Sequence, residues 1–427
     1  MPDFNEKLLQ FIWQHRLLKP GPLFTAAGNE VVVLKPGDLN TDAGPDFFNG
    51  QILLNGLRMA GNIELHLKTS DWLKHGHQQD KNYDTIILHV VYEHDTTLQQ
   101  NLNNNVEVLE LKTHIPEKTI SVYNQLISSG SKLPCATQLK NVNELKLIAW
   151  MERMTVERLE EKVSRIVELA GSFDGNYTQT FYTLLLRNFG FKVNALPFEM
   201  LARQLPVQLL LKHSDNLLQL EALLLGMAGF LEEQVVDKQL QQLQNEFEFL
   251  RHKYQLIPLQ KEIFKFSRLR PANFPDLRLG QFALLLHKKR ELLTNPQSFI
   301  SVAEIKNIFK LQPQGYWKNH YTIGGKTLEK DLALGETSAE NIVINTLAPF
   351  LFFYSKKFAK PRLSDLAIEL LANTAFEKNA KTRLFDARKD SLRSAADSQA
   401  VINLYDHYCV KKKCLNCGIG TSVLAKS

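Results

Sequence analysis

Four residues in the first part of the chain have the types and spacing of a hydrolytic metal site. Along Gly61-Asn62-Ile63-Glu64-Leu65-His66-Leu67-Lys68 polar and apolar residues alternate. Successive side chains of a β-strand point to opposite faces, so Glu64, His66 and Lys68 share one face and Ile63, Leu65 and Leu67 the other. Asp46 stands at the mouth of the preceding strand. An Asp and a Glu on neighbouring strands suit a hard divalent cation, Mg²⁺ or Mn²⁺, which prefers carboxylate oxygens and retained water. His66 or Lys68 beside that ion would orient or deprotonate an attacking water, the logic of metal-assisted phosphodiester hydrolysis.

The same region concentrates titratable groups. Of the 12 histidines, His66, His75, His77, His89, His94 and His114 fall in one stretch, among Asp38, Asp42, Glu64, Asp71, Asp80, Asp84, Glu93 and Asp95. Such crowding marks a candidate active site. A helix over 77–84 would put His77, Asp80 and Asp84 on one face. His75, His77 and Asp80 therefore stand as zinc ligands or as groups that touch substrate or support the site. His89, inside the apolar run Thr85–Tyr92, reads as a satisfied core histidine.

A second constellation lies in the tail. Cys414 and Cys417 form a C-x-x-C that presents two thiolates from one turn, and Cys409 is near enough to be a third ligand. Cys135 or His407 would complete a tetrahedron. Zinc and an iron–sulfur cluster both fit this arithmetic, and idle buried thiols are the alternative.

The elements that must carry these residues follow from periodicity. Residues 4–17 have the apolar spacing of a helix. Strands are predicted over 31–34, 47–54, 61–69, 85–92 and 106–112, with a turn at Asn55-Gly56. From about residue 141 the strand signals fade, and helices are predicted over 145–170, 177–189, 197–212, 217–246, 276–292, 300–311, 338–357, 363–376 and 396–408. The fold class is α+β, with a mixed α/β domain over 1–127, a helical domain over 128–295 and a C-terminal helical region with the cysteine tail over 296–427.

Composition narrows the setting. The chain has 427 residues, 44% of them hydrophobic and 22% charged, which excludes wholesale disorder. Acidic residues at the start and the lack of a long apolar run argue against a secretory signal or a membrane span, so a cytoplasmic chain is expected. The net charge of +6 is unevenly spread: residues 251–330 hold 15 Lys and Arg against 5 Asp and Glu. That stripe, with Arg268 and Arg270 on a proline-framed connector, suits phosphate contacts and a nucleic-acid partner, or else an ordinary solvated helix surface.

Pro45-Asp46, the Glu64 strand and the order helix-then-strands resemble the PD-(D/E)XK nuclease superfamily over residues 1–115. The resemblance implies Asp46 and Glu64 as metal ligands. The lysine of that pattern falls at His66, and Lys68 lies one step later on the same face. The string GDLNTDAGPDF…GNIELHLKTSDW…HGHQQD…YDTIILHVVYEHD, with Arg187–Lys192, Glu221–Gly226, Arg268–Pro275 and the cysteine tail, also resembles an uncharacterised bacterial family, domain-of-unknown-function family number 2851. The expectation is a nuclease-like metal-dependent hydrolase of nucleic acid. The alternatives are a binding protein that keeps the fold without the chemistry, and a zinc hydrolase built on the histidines.

Overall fold

The computed structural model describes residues 4–98, 106–233, 236–295, 301–326 and 332–426. The fold is α+β, a sheet-bearing part followed by a large helical part. The chain divides into two units: Met1–Trp150 with Arg383–Ser391 and Leu404–Ser427, and Met151–Thr382 with Leu392–Asn403.

The first unit opens with helix α1 (Glu6–Gln14), where the Asn5 side chain accepts the Leu8 N–H as N-cap. Leu8, Leu9, Phe11, Ile12 and Trp13 bury its apolar side. The strands are β1 (Leu23–Phe24), β2 (Glu30–Lys35), β3 (Asp38–Leu39), β4 (Phe47–Leu54), β5 (Leu57–Lys68), β6 (Ile86–Glu93) and β7 (Val108–Glu110). They form one sheet in the order β1-β2-β4-β5-β6-β7, with β3 on β4. β4 and β5 are antiparallel, whereas β5-β6 and β6-β7 are parallel. Asn55 and Gly56 both take positive φ, 48° and 83°, as a tight hairpin turn between right-twisted strands requires. Gly61 lies where β5 begins to run beside β6. A Cβ there would stand 2.4 Å from the Ile87 side chain and 2.7 Å from the Thr85 carbonyl, so the approach needs glycine.

The parallel step from β5 to β6 needs a crossover. It is made by α2 (Asp71–Lys74) and two 3₁₀ turns, His77–Gln79 and Lys81–Tyr83. The predicted helix over 77–84 does not form. Asp80 takes an extended conformation and its side chain accepts the Asn82 N–H, so it ends one turn and caps the next. Helix α3 (Glu117–Ser128), not predicted from the sequence, follows β7; it buries only Thr119, Tyr123 and Leu126, a weak apolar signal.

The second unit is helical. The helix Tyr177–Phe189 matches its predicted bounds. The helix predicted over 197–212 starts earlier and breaks: Phe191–Gln204 kinks at Asn194, three residues before Pro197, and Pro206 starts a separate helix Val207–Lys212. The one predicted over 217–246 crosses residues 234–235, which lie outside the described residues, as does residue 300, where another was expected to begin. Its first part stops at Met227, ahead of Gly229 with φ 74°, and a new helix runs Lys238–Tyr254. Leu217–Met227 is buried from Leu220 onward, and Pro275–Lys288 from Pro275 to Leu286. Helices buried on every side must be wrapped all round, and these two lie in the unit's core. Among the described residues, no helix is long and apolar enough to cross a membrane.

Candidate metal centre

β5 sets the floor of the site. Its alternation puts Glu64 and His66 on one face, and the parallel register places Glu64 beside His89 of β6. His66 is 1% exposed and Glu64 5%. The crossover supplies the rest. His75 ends α2, and Gly76 takes a left-handed conformation, φ 73°, that turns the chain so His77 also faces β5.

Three imidazole nitrogens converge, and a carboxylate oxygen lies beside two of them. His66 Nε2 lies 3.1 Å from His75 Nδ1, 3.3 Å from His77 Nε2 and 3.5 Å from Glu64 Oε1. His77 Nε2 lies 3.4 Å from the same carboxylate oxygen. A tetrahedral ion with Zn–N bonds of 2.0–2.1 Å sets ligand–ligand edges of about 3.3 Å. His66 Nε2 thus faces two imidazole nitrogens and one carboxylate oxygen at ligand-like spacing. His66, His75 and His77 form the one cluster of three or more metal-ligating groups of this kind among the described residues.

The electrostatics agree with neutral imidazoles. Burial, then the neighbouring His77 and His75, push His66 down to about 3. Burial and His75 lower His77 as well. Neutral imidazole is the form that ligates metal. His66 Nδ1 lies 2.9 Å from His89 Nε2, so the tautomer that frees Nε2 for an ion points the Nδ1 proton at His89. His89 is fully buried as expected, yet its own Nδ1 finds no partner. Trp72 and Tyr83 wall the cluster: the Tyr83 ring stacks on His77 at 3.8 Å and the Trp72 ring lies 4.9 Å from that of His89.

A ring of acids stands behind the histidines. The Asp46 N–H donates to Glu64 Oε2 at 3.0 Å. Asp46 Oδ2 accepts the Leu65 N–H at 3.0 Å, and Oδ1 accepts the Gln10 amide at 2.9 Å. Burial and then Asp46 push Glu64 up to about 8. Burial, then Asp46 and Asp71, push Glu6 up to about 7. Burial raises Asp46 as well. Acids this close do not all ionise together near neutral pH unless a cation joins them.

Comparison with known proteins places the chain at this point. A family described as a protein of unknown function, DUF2851, matches residues 6–380. The chain belongs to this family. No curated protein matches it, and no solved structure does.

Within the DUF2851 match lie the whole histidine site and Cys135; Cys409, Cys414 and Cys417 fall beyond its end. Of the sequence candidates, Glu64, His66, His75 and His77 meet, and Asp46 touches them through Glu64. Lys68 does not join: its exposed amine stands 4.0 Å from Glu93 on β6. Asp80 is exposed and spent on its cap. Arg268 and Arg270 belong to the second unit and are exposed. In the helix that follows, Arg278 is structural, holding Asn273, Gln281 and Ser338. Sequence reasoning missed Glu6, Gln10 and Tyr83. The i, i+4 spacing of Glu6 and Gln10, two polar residues on a mostly apolar helix, was the available signal.

Proposed function

We propose that this DUF2851 chain is a metal-dependent hydrolase with one divalent ion among His66, His75, His77 and Glu64, and that its substrate is a phosphodiester of nucleic acid. The observation that carries the reading is the convergence of three imidazole nitrogens, with exposed His75 at one corner and Glu64 Oε1 within 3.5 Å of the other two. Three imidazoles favour an ion of the zinc class over the Mg²⁺ or Mn²⁺ that two carboxylates would select. Such an ion acidifies a bound water and polarises the oxygen under attack. The chain does the rest. The Asp46 backbone N–H fixes Glu64, Gln10 and Leu65 fix Asp46, and Glu6, pushed up to about 7 by burial and by Asp46 and Asp71, is the acid this reading assigns to proton transfer.

Two features support nucleic acid as substrate. Asp46 heads β4 and Glu64 lies in β5, behind α1 and beside a parallel β6, an order similar to that of the PD-(D/E)XK nucleases. The basic stretch 251–330 suits a phosphate backbone. One observation favours the second reading, a binding protein without chemistry. Both Asp46 oxygens are already engaged and Lys68 is drawn to Glu93, so two groups of the nuclease pattern are occupied elsewhere.

Metal analysis of the full chain decides first. One equivalent of a zinc-class ion, lost in His77→Ala with all cysteines intact, is the expected result; a chain that binds none in any condition overturns the proposal. Cleavage of single-stranded DNA, duplex DNA and RNA with Zn²⁺ or Mn²⁺ should fall by about 100-fold or more in Glu64→Gln. Metal held at the histidines with no cleavage and salt-sensitive binding selects the second reading.

A further inference from the structure

We infer that His89 is a positioning residue of the metal centre: it accepts the Nδ1 proton of His66 and so keeps Nε2 of that ring bare toward the ion. The inference rests on the metal site proposed for His66, His75 and His77, and it adds a residue that touches neither the ion nor a substrate. His89 lies midway along β6, and its neighbours Leu88, Val90 and Val91 are apolar. In the sheet it stands beside Glu64 of β5 on one side and Val108 of β7 on the other. Its backbone N–H donates to the Glu107 carbonyl at 2.9 Å, so the main chain is satisfied without the ring. The ring itself is fully buried.

The proton arithmetic of two imidazoles fixes the roles. A neutral imidazole carries one proton, and the nitrogen that binds a metal is the bare one. His66 Nε2 is the nitrogen that faces His75 and His77, so for ligation its proton sits on Nδ1. That Nδ1 lies 2.9 Å from His89 Nε2, and the two rings meet edge-on at 83°. His89 Nε2 must then be the acceptor, which puts the proton of His89 on its own Nδ1. A cation on one nitrogen of a ring polarises the N–H at the other. The His66–His89 bond therefore strengthens when an ion is held, and it fixes both the tautomer and the plane of the ligand.

A second observation separates this role from ordinary core packing. Among the described residues, His89 Nδ1 has no hydrogen-bond partner. A buried N–H without an acceptor destabilises a fold, and native structures hold few of them. Turning the ring over does not relieve it, because Cε1 would then stand where Nε2 meets His66. The surroundings call for no polar group: the Trp72 ring lies 4.9 Å away and the strand neighbours are aliphatic. A phenylalanine would fill such a place with no orphaned atom. The imidazole is worth its destabilisation only to His66, whose Nδ1 proton it receives. Stability given up for the geometry of a neighbouring ligand is the mark of a supporting residue in a functional site.

The test compares the full chain with His89→Phe and His89→Gln. Zinc affinity is read by competition with a chelator, and the stability of each metal-free chain by urea unfolding. His89→Phe should bind Zn²⁺ about 10- to 100-fold more weakly than the parent. Its metal-free chain should unfold at the same urea concentration or a higher one, a split that a purely structural role would not produce. His89→Gln, whose Oε1 can accept the same proton, should recover most of the lost affinity. Nitrogen NMR of the parent should show zinc on His66 Nε2, with the protons of His66 and His89 both on Nδ1. Should His89→Phe fail to fold, these spectra still decide: zinc on His66 Nδ1, or a proton left on His89 Nε2, overturns the inference. Unchanged affinity in His89→Phe, affinity and stability lost in step, or no recovery in His89→Gln overturns it too and leaves the metal site standing. A parent that binds no zinc sinks both.

Discussion

At the scale of single residues, the histidine site depends on one backbone conformation. Gly76 sits between His75 and His77 with φ 73°, where a side chain costs about 1–2 kcal/mol. Nothing lies within 4 Å of a Cβ there, so the cost is conformational and not steric. Gly76→Ala should leave the fold intact and weaken zinc binding by roughly tenfold, read by competition with a chromogenic chelator; unchanged affinity would show that the turn does not set the ligand positions. Much of this site was legible. Alternation alone put Glu64 and His66 on one face, and the crowding of histidines drew attention to His75 and His77. Asp46 reaches the histidines only through Glu64, and nothing in the sequence says that its oxygens meet Leu65 and Gln10. Those bonds depend on how α1 lies against the sheet, a tertiary fact with no local signature.

At the scale of elements, the helix Leu217–Met227 carries an acid where its surroundings are almost wholly apolar. Burial alone pushes Glu221 up to about 8. Below its ordinary value of 4.5 the acid is protonated in folded and unfolded chains alike and costs nothing. Between there and about 8 the unfolded chain ionises while the folded one keeps its proton, so stability falls as pH rises, and it levels off above. Glu221→Gln should therefore flatten the urea-unfolding stability between pH 5 and 8 and raise it by a few kcal/mol at the upper end; an unchanged slope would show that Glu221 reaches water. The sequence marked this helix correctly by its apolar run but carried it too far, to residue 246. The stop at Gly229 is set by a left-handed backbone that periodicity does not report. β4 was legible to the residue because both its ends are marked by turn residues, Pro45 before it and Asn55-Gly56 after it.

At the scale of the whole molecule, the first unit is assembled from both ends of the chain. Residues 383–391 and 404–427 belong with 1–150, and the second unit is inserted between them. Arg388 donates to the Lys140 carbonyl at 3.2 Å and Ser391 to Glu144 at 2.8 Å, beside the lysine contacts of the tail. A chain ending after residue 403 should thus lose protease resistance within residues 117–150 while the segment 151–382 stays protected; equal protection of both would contradict the division. No local pattern announces this return, because a contact across so many positions leaves no mark on periodicity. It also imposes a timetable on synthesis. The ribosome finishes the sheet early and then makes more than two hundred residues of helix before the closing segment emerges. For that interval the nascent first unit stands with its tail-binding surface bare, the carbonyls of Ile127, Lys140 and Asn141 left to water until Arg388, Lys412 and Lys426 arrive.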